Sequence, residues 1–315
     1  MNLKFLPLAT LTLWLFSGCN NQDLENHPGN YFSKQKENLK KGKGTVLLDE
    51  SYMPLFNTLL YTFQSTRPDA DISLQYLPEL KNVQLFLEDN ELKVLTIAGS
   101  KELSKKEYES ITTTNKRIDT KIIGYDALIL IANPSNRVEY IRQSQIRQWL
   151  TTNDVNWPNS KNPISIVIDH QFSTNYHTIK TQITDKAFGN RVFQQAGTDS
   201  VIAYVNRNPN SIGIIGYNWL SDRKDPATIK RLKQVKILSV FNEQTGNPIF
   251  PSQESIRNHL YPYIRPIRII NRGIRNGINT GFVNFILSEV GQLILDKSGL
   301  VPEIDPFRQV ELKTE

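Results

Sequence analysis

A chain of 315 residues with 39% hydrophobic and 22% charged residues has the length for one large domain or two and the balance of an ordinary globular protein. Its formal charge of +6 falls to about +5 when Lys4, in a segment expected to be removed, is left out; this mildly favours anionic partners and falls short of a nucleic-acid footprint, which needs basic residues gathered on one face. The single cysteine, Cys19, excludes an intramolecular disulfide and any Cys₂ or Cys₄ zinc site, so the fold must rest on its core.

Met1–Cys19 has the order of a secretory leader. Lys4 supplies a positive start, Leu6–Phe16 is apolar but too short to span a bilayer, and Ser17-Gly18 places small residues before Cys19. The segment resembles a bacterial lipoprotein signal, with Phe16 where leucine is usual. That resemblance implies a signal peptide over 1–18, lipidation at Cys19 and a place in the cell envelope, facing the periplasm or the exterior. Residues 20–43 are polar, with lysines at 34, 36, 40, 41 and 43, and such a composition suits a tether rather than a core.

From Gly44 strands alternate with helices. Thr45–Leu48 reads as a strand, followed by Asp49-Glu50-Ser51 and a helical stripe at Leu55, Phe56, Leu59, Leu60 and Phe63, with Ser51 as the expected N-cap. Ile72–Leu77 is a strand, Val83–Leu87 a helix, and Lys93–Ala98 a strand ending at Gly99-Ser100. Ser104 and Glu107 form a capping box for a polar helix over 104–117. Ala127–Ala132 is a continuous apolar run closed by Asn133-Pro134, the pattern of a strand buried on both faces. Beyond it come a helix at Ser144–Leu150, a strand at Ile164–Ile168, the turn Asp169–Asn175, and a helix through Ile179 and Ile183. A helix at Asp199–Asn208 has Asp199 as expected N-cap; strands follow at Ile212–Tyr217 and Val235–Val240. Tyr261–Ile270 carries Pro262 and Pro266, which place it at an edge or a joint. Gly281–Lys297 reads as one amphipathic helix, with Gly299 as its C-cap and Pro302 beyond. The alternation predicts an α/β fold with mostly parallel sheets flanked by helices.

Four segments in order carry a family resemblance. Tyr125–Asn136 resembles the first crossover strand of the phosphate-binding proteins of ATP-driven phosphate importers, and Asn208–Gly216 their "NPGAIGYVG" strand. Tyr261–Ile267 resembles their "YPLSRPL" return crossover, and Gly291–Pro302 their "GQ…GYVP" terminus. The resemblance covers about 45–302 and is closest to the divergent lipoprotein versions. It implies a two-lobed type-2 periplasmic-binding-protein fold with two crossover strands as hinge. Lobe I would hold 44–124 and 261–315, and lobe II 125–260.

An oxyanion is held by amides at helix N-termini and by Ser or Thr hydroxyls. Three strand-to-helix turns supply candidates: Asp49 with Glu50 and Ser51; Gly99 with Ser100; and Asp169 with Ser173, Thr174 and Asn175. In each, an ordinary helix cap is the plain alternative. The chain departs from the family pattern. Asp169 stands where the resemblance implies Arg, Thr174-Asn175 where it implies Gly-Thr, and Asp49-Glu50 where it implies Gly, Ser or Thr. Close carboxylates repel a dianion by roughly 4 kcal/mol per pair at an effective dielectric near 20. Arg265 and Arg268 could restore positive charge, but a lobe-surface role is expected of them. Asp169, His170, Ser173 and His177 also contain the residue types of a hydrolase or a metal site, without a GxSxG elbow or a standard zinc spacing.

The resemblance implies a binding protein rather than an enzyme, with no cofactor and no metal. Its ligand would be inorganic phosphate or a similar oxyanion, and its partners an ABC permease with its ATPase and the membrane that holds the anchor. Nucleic acid is not expected, and a monomer is. The alternative is an envelope scaffold or sensor that keeps the fold and has lost phosphate binding.

Overall fold

A computed structural model describes residues 38–89, 91–112, 118–153, 155–157, 162–273 and 276–306. The leader, Cys19 and most of the expected tether lie outside them, as does the end of the helix expected over 104–117. The first half runs β1 (Gly42–Leu48), a 3-10 turn (Glu50–Tyr52), α1 (Met53–Ser65), β2 (Ala70–Tyr76), α2 (Glu79–Glu88), β3 (Thr96–Gly99), α3 (Lys105–Thr112) and β4 (Asp119–Ala132). Then come β5 (Tyr140–Arg142), α4 (Gln143–Thr151), β6 (Ser165–Ile168), α5 (Thr174–Thr178) with a π turn (Ile179–Ile183), β7 (Val192–Gln194), α6 (Thr198–Arg207) and β8 (Ser211–Gly216). The chain continues through α7 (Asn218–Ser221), α8 (Pro226–Leu232), β9 (Lys236–Asn242), β10 (Asn247–Ile249) and α9 (Gln253–Arg257). It closes with β11 (Ile264–Asn271), α10 (Ile278–Ile286), α11 (Glu289–Lys297) and β12 (Val301–Pro302).

The strands form two parallel blocks joined through two antiparallel crossovers. In the first block β1 lies between β2 and β3; in the second β6 lies between β7 and β8. Successive residues of β1 face opposite sides. Val46 and Leu48 join Phe56 and Leu59 of α1, while Leu47 joins Val83 and Phe86 of α2. The joint is β4. Its first part pairs with β11, from Ile264 opposite Ala127 to Asn271 opposite Asp119. Its last part, Leu128–Ala132, pairs with β8, and Leu130–Ala132 also with β9. The run Ala127–Ala132 is therefore wholly buried, since strands flank it and helices cover it. This is the two-lobed α/β arrangement of parallel sheets flanked by helices.

Three local expectations are corrected. The helix expected over 281–297 is two helices, with axes 58° apart. Ser288 breaks it by accepting a hydrogen bond from Gly291 N, which starts a new helix, and Gly291 itself packs against the carbonyls of Phe285 and Ile286. Asp49, not Ser51, caps the turn after β1, because its carboxylate precedes the turn and accepts from Ser51 N (2.9 Å). Gly197 rather than Asp199 precedes α6, and Asp199 lies in its first turn beside Arg231. Pro266 stands where the sequence places it, at a joint and on a locally open edge. It pairs with Tyr125 of β4, beyond the reach of β3, which joins β11 only from Arg268 on, after a register shift.

Gln292, fully buried, ties the broken helix to the crossover. Its Nε2 donates to Ile286 O (2.9 Å) and Ile123 O (3.1 Å), and its Oε1 accepts from Ile304 N (2.8 Å). Gln292→Leu keeps the volume but takes a donor from Ile286 O and the acceptor from Ile304 N, while Ile123 O keeps only Glu303 N (3.3 Å). It is expected to lower the unfolding free energy by roughly 2–4 kcal/mol, read from urea denaturation. A loss below about 0.5 kcal/mol would show that the side chain merely fills space.

Candidate functional site

Parallel blocks present their carboxyl ends, and the helices that follow present their first amides, on the same side. In this chain those ends meet at the joint between the blocks. Asp49, the residue after β1, is buried there. Its Oδ1 accepts from Ser51 N (2.9 Å) and Ser51 Oγ (2.7 Å). Its Oδ2 accepts from Glu79 N (3.0 Å) and Thr174 N (3.0 Å). Ser51 and Glu79 open helical turns after β1 and β2, and Thr174 opens α5 in the other block. One carboxylate thus collects amides from both halves of the fold.

The second turn also faces an acid. Ser100 N and Lys101 N (2.7 Å) donate to Glu79 Oε1. A Cβ at residue 99 would press on that carboxylate, so glycine there leaves Glu79 its present place. Glu50 takes a third amide, Thr198 N at the start of α6 (3.2 Å), and glycine at 197 leaves room for it. Asp169 binds side chains: its Oδ1 accepts from Ser173 Oγ (2.6 Å) and its Oδ2 from Asn175 Nδ2 (2.8 Å). Ser173 Oγ in turn accepts from Tyr176 N and caps α5 (3.0 Å).

Arg265 lies beneath this network with no exposed surface, which overturns the lobe-surface expectation. It faces Asp126 across the β11–β4 pair and donates to Asp126 Oδ2 from Nη2 (2.7 Å) and Nε (3.1 Å). Its Nη1 donates to Asn175 Oδ1 (2.7 Å), and its guanidinium carbon stands 5.3 Å from the centre of the Tyr52 ring. Asp126 Oδ1 accepts from Asn218 N (2.9 Å), and Asn218 Nδ2 donates to Ser51 O (3.0 Å). Arg268 reaches the second turn, where Nη1 donates to Ser100 O (2.6 Å).

The candidates from sequence therefore fall into linked groups. Ser51 and Thr174 share Asp49; Gly99 and Ser100 meet Glu79; Asp169, Ser173 and Asn175 lean on Arg265; Glu50 meets Thr198. Sequence reasoning missed Glu79, Asp126, Asn218 and Thr198. Asp126 had a signal, being the charged residue at the mouth of an apolar run. Glu79 had none, since an acid at a helix start usually faces water. The hydrolase arrangement is not assembled: Ser173 Oγ donates to Asp169, while His170 Nδ1 meets Gln171 O. Among the described residues no cluster of His, Cys, Asp and Glu is placed to hold a metal.

Crowding of acids shows in their proton affinity. Burial, with the Asp49 carboxylate nearby, pushes both the Glu79 and the Asp169 carboxyl up to about 7 against the pull of their hydrogen bonds. Burial also raises Glu50. Four buried polar atoms around these acids have no hydrogen-bond partner among the described residues: Glu79 Oε2, Thr174 Oγ1, Thr198 Oγ1 and Tyr52 OH.

The folded protein holds these protons more tightly than the unfolded chain, so stability should fall as pH rises from about 4.5 to about 7. The expected loss is on the order of 1–3 kcal/mol for the coupled cluster, read as the difference in urea midpoint between pH 5 and pH 8. Glu79→Gln keeps an oxygen for the Ser100 and Lys101 amides and should remove much of the slope. A wild-type stability that is flat or rises across this window would contradict the assignment.

Comparison with known proteins agrees with this architecture. Residues 40–290 match the family model PBP_like_2, described as a PBP superfamily domain. Phosphate-binding protein PstS of Borreliella burgdorferi is 26% identical over 222 residues, which are 66% of this chain and 73% of that protein. The Staphylococcus epidermidis protein of the same name is 26% identical over 218 residues, 64% of this chain and 63% of its own length. Among solved structures, an ABC-type phosphate transport receptor from Vibrio cholerae superposes with a TM-score of 0.62 at 16% identity, covering 83% of this chain and 100% of that one. A Clostridium perfringens chain assigned as a phosphate ABC transporter substrate-binding protein, solved with phosphate bound, gives 0.68 at 20% identity, over 83% and 99% of the two chains. With a family model spanning most of its length and a fold shared with these solved structures, the chain belongs to the PBP superfamily and has the type-2 periplasmic-binding architecture.

Proposed function

We propose that this chain is an extracytoplasmic solute-binding lipoprotein that takes a small oxyanion, phosphate first, between its two lobes and delivers it to an ABC permease. Lobe I comprises 44–124 and 261–315, and lobe II comprises 125–260. Cys19 carries the lipid that ties the protein to the envelope membrane, and the permease ATPase supplies the energy. The protein does no covalent chemistry and acts as a monomer.

The observation that carries this reading is the convergence of Ser51 N, Glu79 N and Thr174 N on a single anionic group. Helix-start amides from both blocks are the donors an oxyanion needs, and a bound solute would join the lobes through them. The names of the relatives support phosphate as the solute. Glu50, Ser51, Gly99, Ser100, Asp169, Ser173, Thr174 and Asn175 form the proposed ligand shell. A second reading, a scaffold or sensor that no longer binds phosphate, is favoured by one observation: the turns after β1 and β3 and the start of α6 already hold carboxylates of the chain.

Thermal unfolding of the chain from Asn20 onward, refolded free of ligand, separates the two. Phosphate at about a hundred times its dissociation constant should add roughly 2.7 kcal/mol, a rise of about 5 °C in Tm, with sulfate and phosphate esters as comparisons. The rise should vanish in a Ser173→Ala, Thr174→Ala double variant. No rise with any oxyanion would move the protein to the second reading.

A further inference from the structure

Amides at helix starts of the second lobe donate to two acids and one carbonyl of the first. Thr174 N reaches Asp49, Thr198 N reaches Glu50, and Asn218 Nδ2 reaches back to Ser51 O. Asp49 is the most fully engaged of these acids. Only 2% of its surface is exposed, and its two oxygens accept four hydrogen bonds, three of them from backbone amides. It therefore does, from within the chain, what the proposed solute would do from outside.

The fit is incomplete in an informative way. The buried hydroxyls Thr174 Oγ1 and Thr198 Oγ1, and the buried Tyr52 OH, find no partner among the described residues. A planar carboxylate has two oxygens, and both are already saturated. A tetrahedral oxyanion has four and would have oxygens left for such hydroxyls. The two anions cannot share the seat, because both need the N–H groups of Ser51, Glu79 and Thr174.

We infer that the Asp49 carboxylate is a resident ligand of the seat: it draws the lobes together without solute, and an incoming oxyanion must displace it. Asp49 then sets the affinity threshold and the selectivity of the site. This rests on reading the joint as an oxyanion seat. If the Asp49-bound form holds about nine-tenths of the molecules, apparent affinity for solute falls about tenfold.

The test compares wild type with Asp49→Ser, whose hydroxyl can still cap the turn. Both are studied as the full chain in detergent. Small-angle neutron scattering, with the detergent contrast-matched, reads compactness without phosphate; equilibrium dialysis reads orthophosphate binding. The expected result is a compact wild type, a more open Asp49→Ser, and orthophosphate bound roughly tenfold or more tightly by the variant. An open variant that still ignores phosphate would uphold Asp49 as the resident ligand and count against phosphate as the solute. An Asp49→Ser chain that melts cooperatively, stays as compact as wild type and binds phosphate no better would overturn the inference. Should that variant fail to fold, Asp49→Ala is read in the same two assays. It leaves no acceptor at residue 49 for the Glu79 and Thr174 N–H groups, so opening is again expected and an unchanged compact chain again overturns the inference.

Discussion

A carboxylate removed from water must find donors, and Asp49 finds its four in two different halves of the sheet. That requirement shapes everything near it. It fixes where the turn after β1 ends and brings the start of α2 to the same point as the start of α5. It also fills amides that the helix starts would otherwise leave without an intrahelical acceptor. The neighbouring acids follow the same rule, with Glu79 across the turn after β3 and Glu50 at the start of α6. Each accepts backbone N–H groups rather than pairing with a cation, as in an anion-binding site, although Glu79 does so through Oε1 alone.

The crossover strands supply the counterweight. Arg265 and Asp126 face each other on β11 and β4, both without exposed surface, and their bond spans the joint between the two blocks. Asp126 leads on to Asn218 and Arg265 to Asn175, so the ion pair links the start of α7 with the start of α5. A buried pair of this kind adds little net stability against an apolar substitute, but losing one partner costs about 3–5 kcal/mol. Its role here is positional: it aims Asn175 and steadies Asp169, whose carboxyl would otherwise stand near Asp49 with no cation in its network.

Much of the fold was legible in the sequence because it rests on periodicity. The apolar run Ala127–Ala132, the alternation of short strands and helices, and Gly299 with its positive φ as a helix stop are local patterns with local causes. The break in the last long helix was not legible, because Ser288 sits in an unbroken amphipathic pattern and acts through its side chain. The site divides along the same line. Turns after strands marked Ser51, Ser100 and Ser173 as candidates, since helix starts have a signature. Glu79 and Thr198 carry no such mark, and their contacts join residues 22 and 148 positions apart, a relation that only the packed chain creates. Arg265 was misjudged because an arginine on a strand is ordinarily a surface residue; the pairing with Asp126 draws it inside.

The chain's own carboxylate occupies the amide seat at the joint. The most direct test is site-resolved hydrogen exchange of the Thr174 amide in the ligand-free protein. Thr174 is the first residue of α5, so its N–H has no acceptor within the helix. If Asp49 holds it, the amide should exchange about as slowly as the buried strand amides of β8. Exchange near the open-chain rate would show that the carboxylate is not seated there in solution, and the account would fail.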